Sequence, residues 1–150
     1  MLLAGIIVPA TVMLPTQQSQ RLLGGAASFA QAASPLSESL RDKPVVVEIY
    51  ASWCGACKKV QPVLKQVQAR EGDRIHLIKF DVSNSAAAKR SAKQAEKLGL
   101  GMFFSSHRTQ TSLVAIFNPN TGEQVKTFRA QTSVAPYIDA ISMIRDRVGG

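Results

Sequence analysis

The chain reads as an α/β domain in which a central mixed sheet of about four strands is flanked by helices. Three observations predict this. The β-branched and aromatic run Val45-Val46-Val47-Glu48-Ile49-Tyr50 leads, through a short Cys-containing loop, to a helical pattern between Lys58 and Arg70, with Val60, Val63, Leu64 and Val67 at helical spacing. A second strand and helix repeat that order at Ile75 to Val82 and Ala86 to Leu98. The last third of the chain instead carries a hairpin and a closing helix. Strands separated by helices imply parallel pairing and a tight turn implies antiparallel pairing, so the sheet is mixed.

The remaining elements follow in order. Pro35 to Arg41 reads as a short helix leading into the first strand, and Gly99 to Thr111 reads as a loop. Leu113 to Phe117 and Glu123 to Arg129 form a hairpin across Asn118-Pro119-Asn120-Thr121-Gly122, a cluster of turn residues. Val134 to Val148 is an amphipathic helix with Ile138, Ile141, Ile144 and Val148 in register. Of 150 residues, 45% are hydrophobic and 19% charged, which fits one globular domain over residues 34–150, with no internal repeat.

Residues 1–33 are of another kind. Met1 to Leu14 is almost wholly apolar, and Ala30-Gln31-Ala32 satisfies the small-x-small rule of a signal-peptidase site. The Leu2 to Leu14 run contains Pro9 and falls short of the roughly 20 apolar residues a membrane span needs. The segment is expected to act as a signal peptide or an N-terminal membrane anchor, although no basic stretch precedes the apolar run. Export would deliver the domain to an oxidising compartment such as a periplasm or thylakoid lumen.

The chemistry centres on Trp53-Cys54-Gly55-Ala56-Cys57-Lys58, which holds both cysteines of the chain at a strand-to-helix junction. Unpaired backbone N–H groups and the helix dipole favour a thiolate at Cys54, and Cys57, about one turn on, can close back on it. The expected reaction is thiol–disulfide exchange, with Cys54 attacking a partner's disulfide and Cys57 resolving the mixed disulfide. A structural zinc site is the first alternative, but it needs two further ligands, and only His76, in a predicted strand, and His107, in a predicted loop, are available. A structural disulfide is the second, and it would close too small a loop to stabilise the fold much. No cofactor is implied by this reading.

From Pro44 to Val148 the sequence resembles the thioredoxin family. The resemblance is carried by the Cys-Gly-Ala-Cys motif, by Glu48 six positions before Cys54, by Pro62 inside the following helix, and by Lys79 on the second strand. It implies a buried acid at Glu48 that relays protons to Cys57, with Lys79 near it. It also implies that Trp53, Gly55, Ala56, Thr111 and Ser112 border the surface that meets cysteine-containing protein substrates. Flanked by apolar strand residues, Glu48 is expected to have a raised pKa suited to proton transfer.

One departure stands out. Where the family places a cis-proline facing the active site, this chain has Ser112, preceded by a segment about eight residues longer than the family's. A cis bond before serine costs about 3–4 kcal/mol, so a trans peptide and a rebuilt loop are expected there. In that loop His107 is a candidate to assist thiolate formation.

The net charge is +8, and Lys58, Lys59, Lys89, Arg90, Lys93 and Lys97 give two basic helical faces. No recognised reading motif or aromatic-interleaved basic stretch accompanies them, which argues against nucleic acid. They read as a solvated face or, next, as a surface for acidic proteins or an anionic membrane. Three functions stay open: an exported or tethered oxidoreductase, supplied if need be by a membrane thiol–disulfide reductant donor; a thioredoxin-fold assembly module with little general exchange; and a cluster bridging two chains through Cys54 and Cys57.

Overall fold

A computed structural model describes residues 35–148. After a 3-10 turn at Glu38–Leu40 come β1 (Val45–Tyr50), α1 (Gly55–Glu71), a second 3-10 turn (Gly72–Arg74), β2 (His76–Asp81), α2 (Ser85–Leu98), α3 (Gly101–His107), β3 (Leu113–Phe117), β4 (Gln124–Arg129) and α4 (Ala135–Val148). The strands lie in the order β2-β1-β3-β4, with β1 parallel to β2 and antiparallel to β3, and β3 antiparallel to β4. This is the mixed sheet the sequence predicts. Residues 1–33, the expected leader or anchor, fall outside the described residues.

Side chains alternate across β1, and both faces are covered. Val45, Val47 and Ile49 pack with Phe80, Leu100, Phe104 and Phe117 on one side, where α2 and α3 lie. Val46 packs with Val60, Val67, Ile116, Tyr137 and Ile141 on the other, between α1 and α4. Burial on both faces explains why β1 reads as a continuous apolar run. It also fixes the position of Glu48, which shares the Val46 face and is 2% exposed. Glu71, at the end of α1, pairs with Arg145 of α4 and so joins the two helices of that face.

Two expectations are corrected. The segment Gly99 to Thr111 is not wholly loop, because α3 forms within it and carries His107 at its end. Leu100, Phe103 and Phe104 drive its formation: at i, i+3 and i+4 they enter the core, and the two Phe rings meet Phe117 and Phe80 edge-on at 5.1 and 5.4 Å. Gly99 and Gly101 and the paired serines obscured that pattern. Second, α1 begins at Gly55 rather than Lys58, because Cys54 itself is the N-cap. Gly99 has a positive φ of 76° and ends α2, where an added Cβ would lie 2.6 Å from the Pro35 carbonyl oxygen.

Ser112 is buried and has φ 65°, a left-handed conformation unusual for a serine, and its peptide is trans. Its N–H donates to the Ile49 carbonyl at 2.9 Å and its own carbonyl accepts from Ala130 at 3.1 Å. Proline can neither take that φ nor make the first bond. Ser112→Pro is therefore expected to destabilise the domain by on the order of 3 kcal/mol, whereas Ser112→Gly should stay within about 1 kcal/mol of the parent. Chemical denaturation checks both, and a Ser112→Pro variant as stable as the parent would contradict this account of the loop.

Candidate active site

β1 ends at Tyr50, and Cys54 caps α1 four residues later with extended backbone angles. Its Sγ accepts the Cys57 backbone N–H at 3.1 Å, the place usually taken by a hydroxyl or carboxylate oxygen at a helix start. Burial pushes the Cys54 thiol up. Hydrogen bonds from the Cys57 and Thr111 side chains and from the Cys57 and Ala56 amides outweigh that effect, and the net pKa lies below the ordinary thiol value. Cys57 is fully buried, and burial together with its hydrogen bond to Cys54 pushes its thiol up to about 11. Its Sγ points to the Ile49 carbonyl at 3.9 Å. The pair is therefore asymmetric, with the proton kept on Cys57 and the negative charge favoured on Cys54.

Glu48 lies on β1, on the sheet face that α1 and α4 cover. Burial raises its carboxyl to about 7, against the opposing effects of a hydrogen bond from Gln61 and the charge of Lys79. Gln61 Nε2 donates to Oε2, and Oε1 is buried with no hydrogen-bond partner. Tyr137, fully buried on α4, feels the Glu48 charge after desolvation, and both hold its phenol protonated well above the usual range. Lys79 is the register partner of Glu48 on β2, but its amine lies over the Tyr50 ring, 4.9 Å from the centroid, and forms no ion pair with Glu48.

The residues expected at the partner surface cluster around Cys54. Trp53 is 66% exposed, and its Nε1 donates to the Ser83 carbonyl at 3.1 Å. Ser83 Oγ also accepts the Ser52 N–H at 2.8 Å and donates to Asp81, so the loop after β2 pins the loop that carries the cysteines. Gly55 faces open space, Ala56 packs on the cysteines, and Thr111 and Ser112 approach from the loop before β3. His107 is not part of the site. Its ring stacks on Phe103 and its Nδ1 bonds the Phe103 carbonyl at 2.9 Å, because α3 turns it back along its own helix. Among the described residues no three His, Cys, Asp or Glu side chains converge as a metal site would require.

Sequence reasoning missed Gln61, Ser83 and Tyr137. Gln61 had a signal, since it lies one turn after Cys57 on the face that carries Val60 and Leu64 toward the sheet. Tyr137 had one as well, since it stands at i, i+4 and i+7 with Ile141 and Ile144 on the apolar face of the last helix. Ser83 had none, because loop-to-loop hydrogen bonding leaves no local spacing to read.

A four-stranded mixed sheet with two thiols at the start of a helix defines the class, a dithiol α/β domain. The family model described as Thioredoxin matches residues 27–97. A thioredoxin-like protein of Synechocystis sp. is 31% identical over 84 residues, covering 56% of this chain and 77% of that protein. Thioredoxin of Mycolicibacterium smegmatis is 46% identical over 50 residues, 31% of this chain and 45% of that protein. A chloroplastic thioredoxin-like protein of Oryza sativa subsp. japonica is 37% identical over 70 residues, 44% of this chain and 27% of that protein. The chain thus spans less than half the length of the last two relatives. A DsbF homologue from Corynebacterium diphtheriae shares the fold, with a TM-score of 0.53 at 17% identity over 70% of this chain and 74% of that structure. The chain belongs to the thioredoxin family.

The raised Glu48 carboxyl has a consequence for stability. The folded domain keeps the Glu48 proton up to about pH 7 while an unfolded chain releases it near 4.5, so the folded state binds more protons in that window. Stability therefore falls as pH rises through it. Between pH 4.5 and 8, the parent is expected to lose roughly 2–3 kcal/mol more than Glu48→Gln, which cannot ionise. Equal pH dependence of denaturant unfolding in the two proteins would show that Glu48 titrates normally.

Proposed function

We propose that this protein is a thiol–disulfide oxidoreductase that exchanges disulfides with cysteine-containing protein partners outside the cytoplasm. The observation that carries the reading is the asymmetry of the pair, a thiol lowered at the N-cap of α1 beside a buried thiol held near 11. In the reducing direction the Cys54 thiolate attacks one sulfur of a partner disulfide. The partner's S–S bond breaks, its second sulfur leaves as a thiolate and takes a proton, and a Cys54–partner disulfide remains. Cys57 then loses its proton to Glu48 and attacks Cys54 Sγ. That step forms the Cys54–Cys57 disulfide and releases the reduced partner, so two electrons pass to the partner. The reverse sequence oxidises a dithiol. Trp53, Gly55, Ala56 and Thr111 supply the surface against which the partner sulfur is presented, and Lys79 acts on Glu48 through its charge alone.

Export rests on the apolar start and the Ala30-Gln31-Ala32 site, and one of the relatives is chloroplastic by name. No helix among the described residues is long and apolar enough to cross a membrane. A second reading, a binding or assembly module with little general exchange, draws on Ser112, whose left-handed, internally bonded backbone replaces the family's proline.

Turnover decides between them. The parent should reduce insulin with a supplied dithiol or oxidise a dithiol peptide. Cys57→Ser should lose turnover and accumulate mixed disulfides with partners recovered from a non-cytosolic fraction. A parent inactive in both directions would overturn the oxidoreductase reading in favour of the module, and partners trapped in the cytosol would overturn export.

A further inference from the structure

Glu48 has two oxygens in different circumstances. Oε2 accepts from Gln61 Nε2 at 2.5 Å, while Oε1 is buried with nothing to bond. Gln61 lies four residues after Cys57, one turn further along α1, and so links the helix that carries the cysteines to the strand that carries the acid. An amide nitrogen can only donate, so the oxygen it meets must accept. A protonated carboxyl that keeps this bond therefore carries its hydrogen on the other oxygen. The remaining neighbours do not compete for that role. Tyr137 of α4 donates its hydroxyl to the Gln131 carbonyl at 3.1 Å, Lys79 of β2 lies over Tyr50, Cys57 of α1 points to Ile49, and β3 offers Val114 opposite Glu48.

We propose that Gln61 is a positioning residue for the Glu48 carboxyl, holding Oε2 as a fixed acceptor so that the exchangeable proton resides on Oε1. The amide also favours the charged form, because its bond strengthens when the oxygen it meets is ionised. Gln61 thus opposes the effect of burial and keeps the acid able to titrate near neutrality. Without it, the acid would stay protonated to higher pH and would accept a proton from Cys57 less readily.

This proposal rests on the reading that Glu48 exchanges a proton with the cysteine pair, and two separate readouts on the full reduced chain keep the two apart. Glu48 titration, followed by carboxyl carbon NMR, should move up by about one pH unit in Gln61→Leu, the loss expected for one hydrogen bond to a charged group. The pH profile of disulfide exchange should move with it. Gln61→Glu, of nearly the same shape, should split the titration into two steps as two facing carboxyls share a proton. It also serves if Gln61→Leu fails to fold. An unchanged Glu48 midpoint in Gln61→Leu, or a single unshifted step in Gln61→Glu, would overturn the positioning role. A midpoint that moves while the exchange profile stays fixed would overturn the reading of Glu48 as the exchange acid and, with it, any role of Gln61 in exchange.

Discussion

The Cys54 sulfur accepts the backbone N–H of Cys57 at the first turn of α1, and the rest of the site is arranged around that contact. A helix start has donors without intrahelical partners, and a side chain that accepts from one both anchors the helix and gains from being negative. Here the acceptor is the sulfur proposed to react, so one bond starts the helix and stabilises the thiolate. The same geometry places Cys57 one turn inward, where it is fully buried and keeps its proton. Two identical side chains three residues apart thereby acquire opposite tendencies, because one meets amides and the other meets the core.

That arrangement depends on β1 being held rigidly. The strand is covered on both faces and paired on both edges, so the loop that follows it leaves the sheet from a fixed point. Glu48 is the one carboxyl in this largely apolar strand. Burying a half-satisfied carboxyl is unfavourable for folding, and tertiary packing with Gln61 and Tyr137 sustains it. Groups kept in such surroundings are concentrated where proton transfer is needed, which fits the role proposed for Glu48.

The strands and main helices were legible because their apolar residues recur at periods of two or near four, and β1 and β3 agree with the sequence to the residue. The two cysteines and Glu48 could be placed for the same reason, since a strand followed by a helix fixes where a motif between them must lie. The segment before β3 was harder. Its helix is seven residues long and forms because Phe103 and Phe104 find partners on β2 and β3, which is a tertiary cause with little local propensity behind it. The left-handed Ser112 was illegible for a related reason: hydrogen bonds to Ile49 and from Ala130, distant in sequence, impose a backbone angle that serine does not favour alone.

The asymmetry of the two thiols is the claim on which the account turns, and thiolate ultraviolet absorbance of the reduced protein as a function of pH tests it directly. The pair is expected to ionise in two separated steps, the first below the ordinary thiol value and abolished by Cys54→Ser, the second near pH 11. A single joint step at the ordinary thiol value, or a low step that survives in Cys54→Ser, would contradict it.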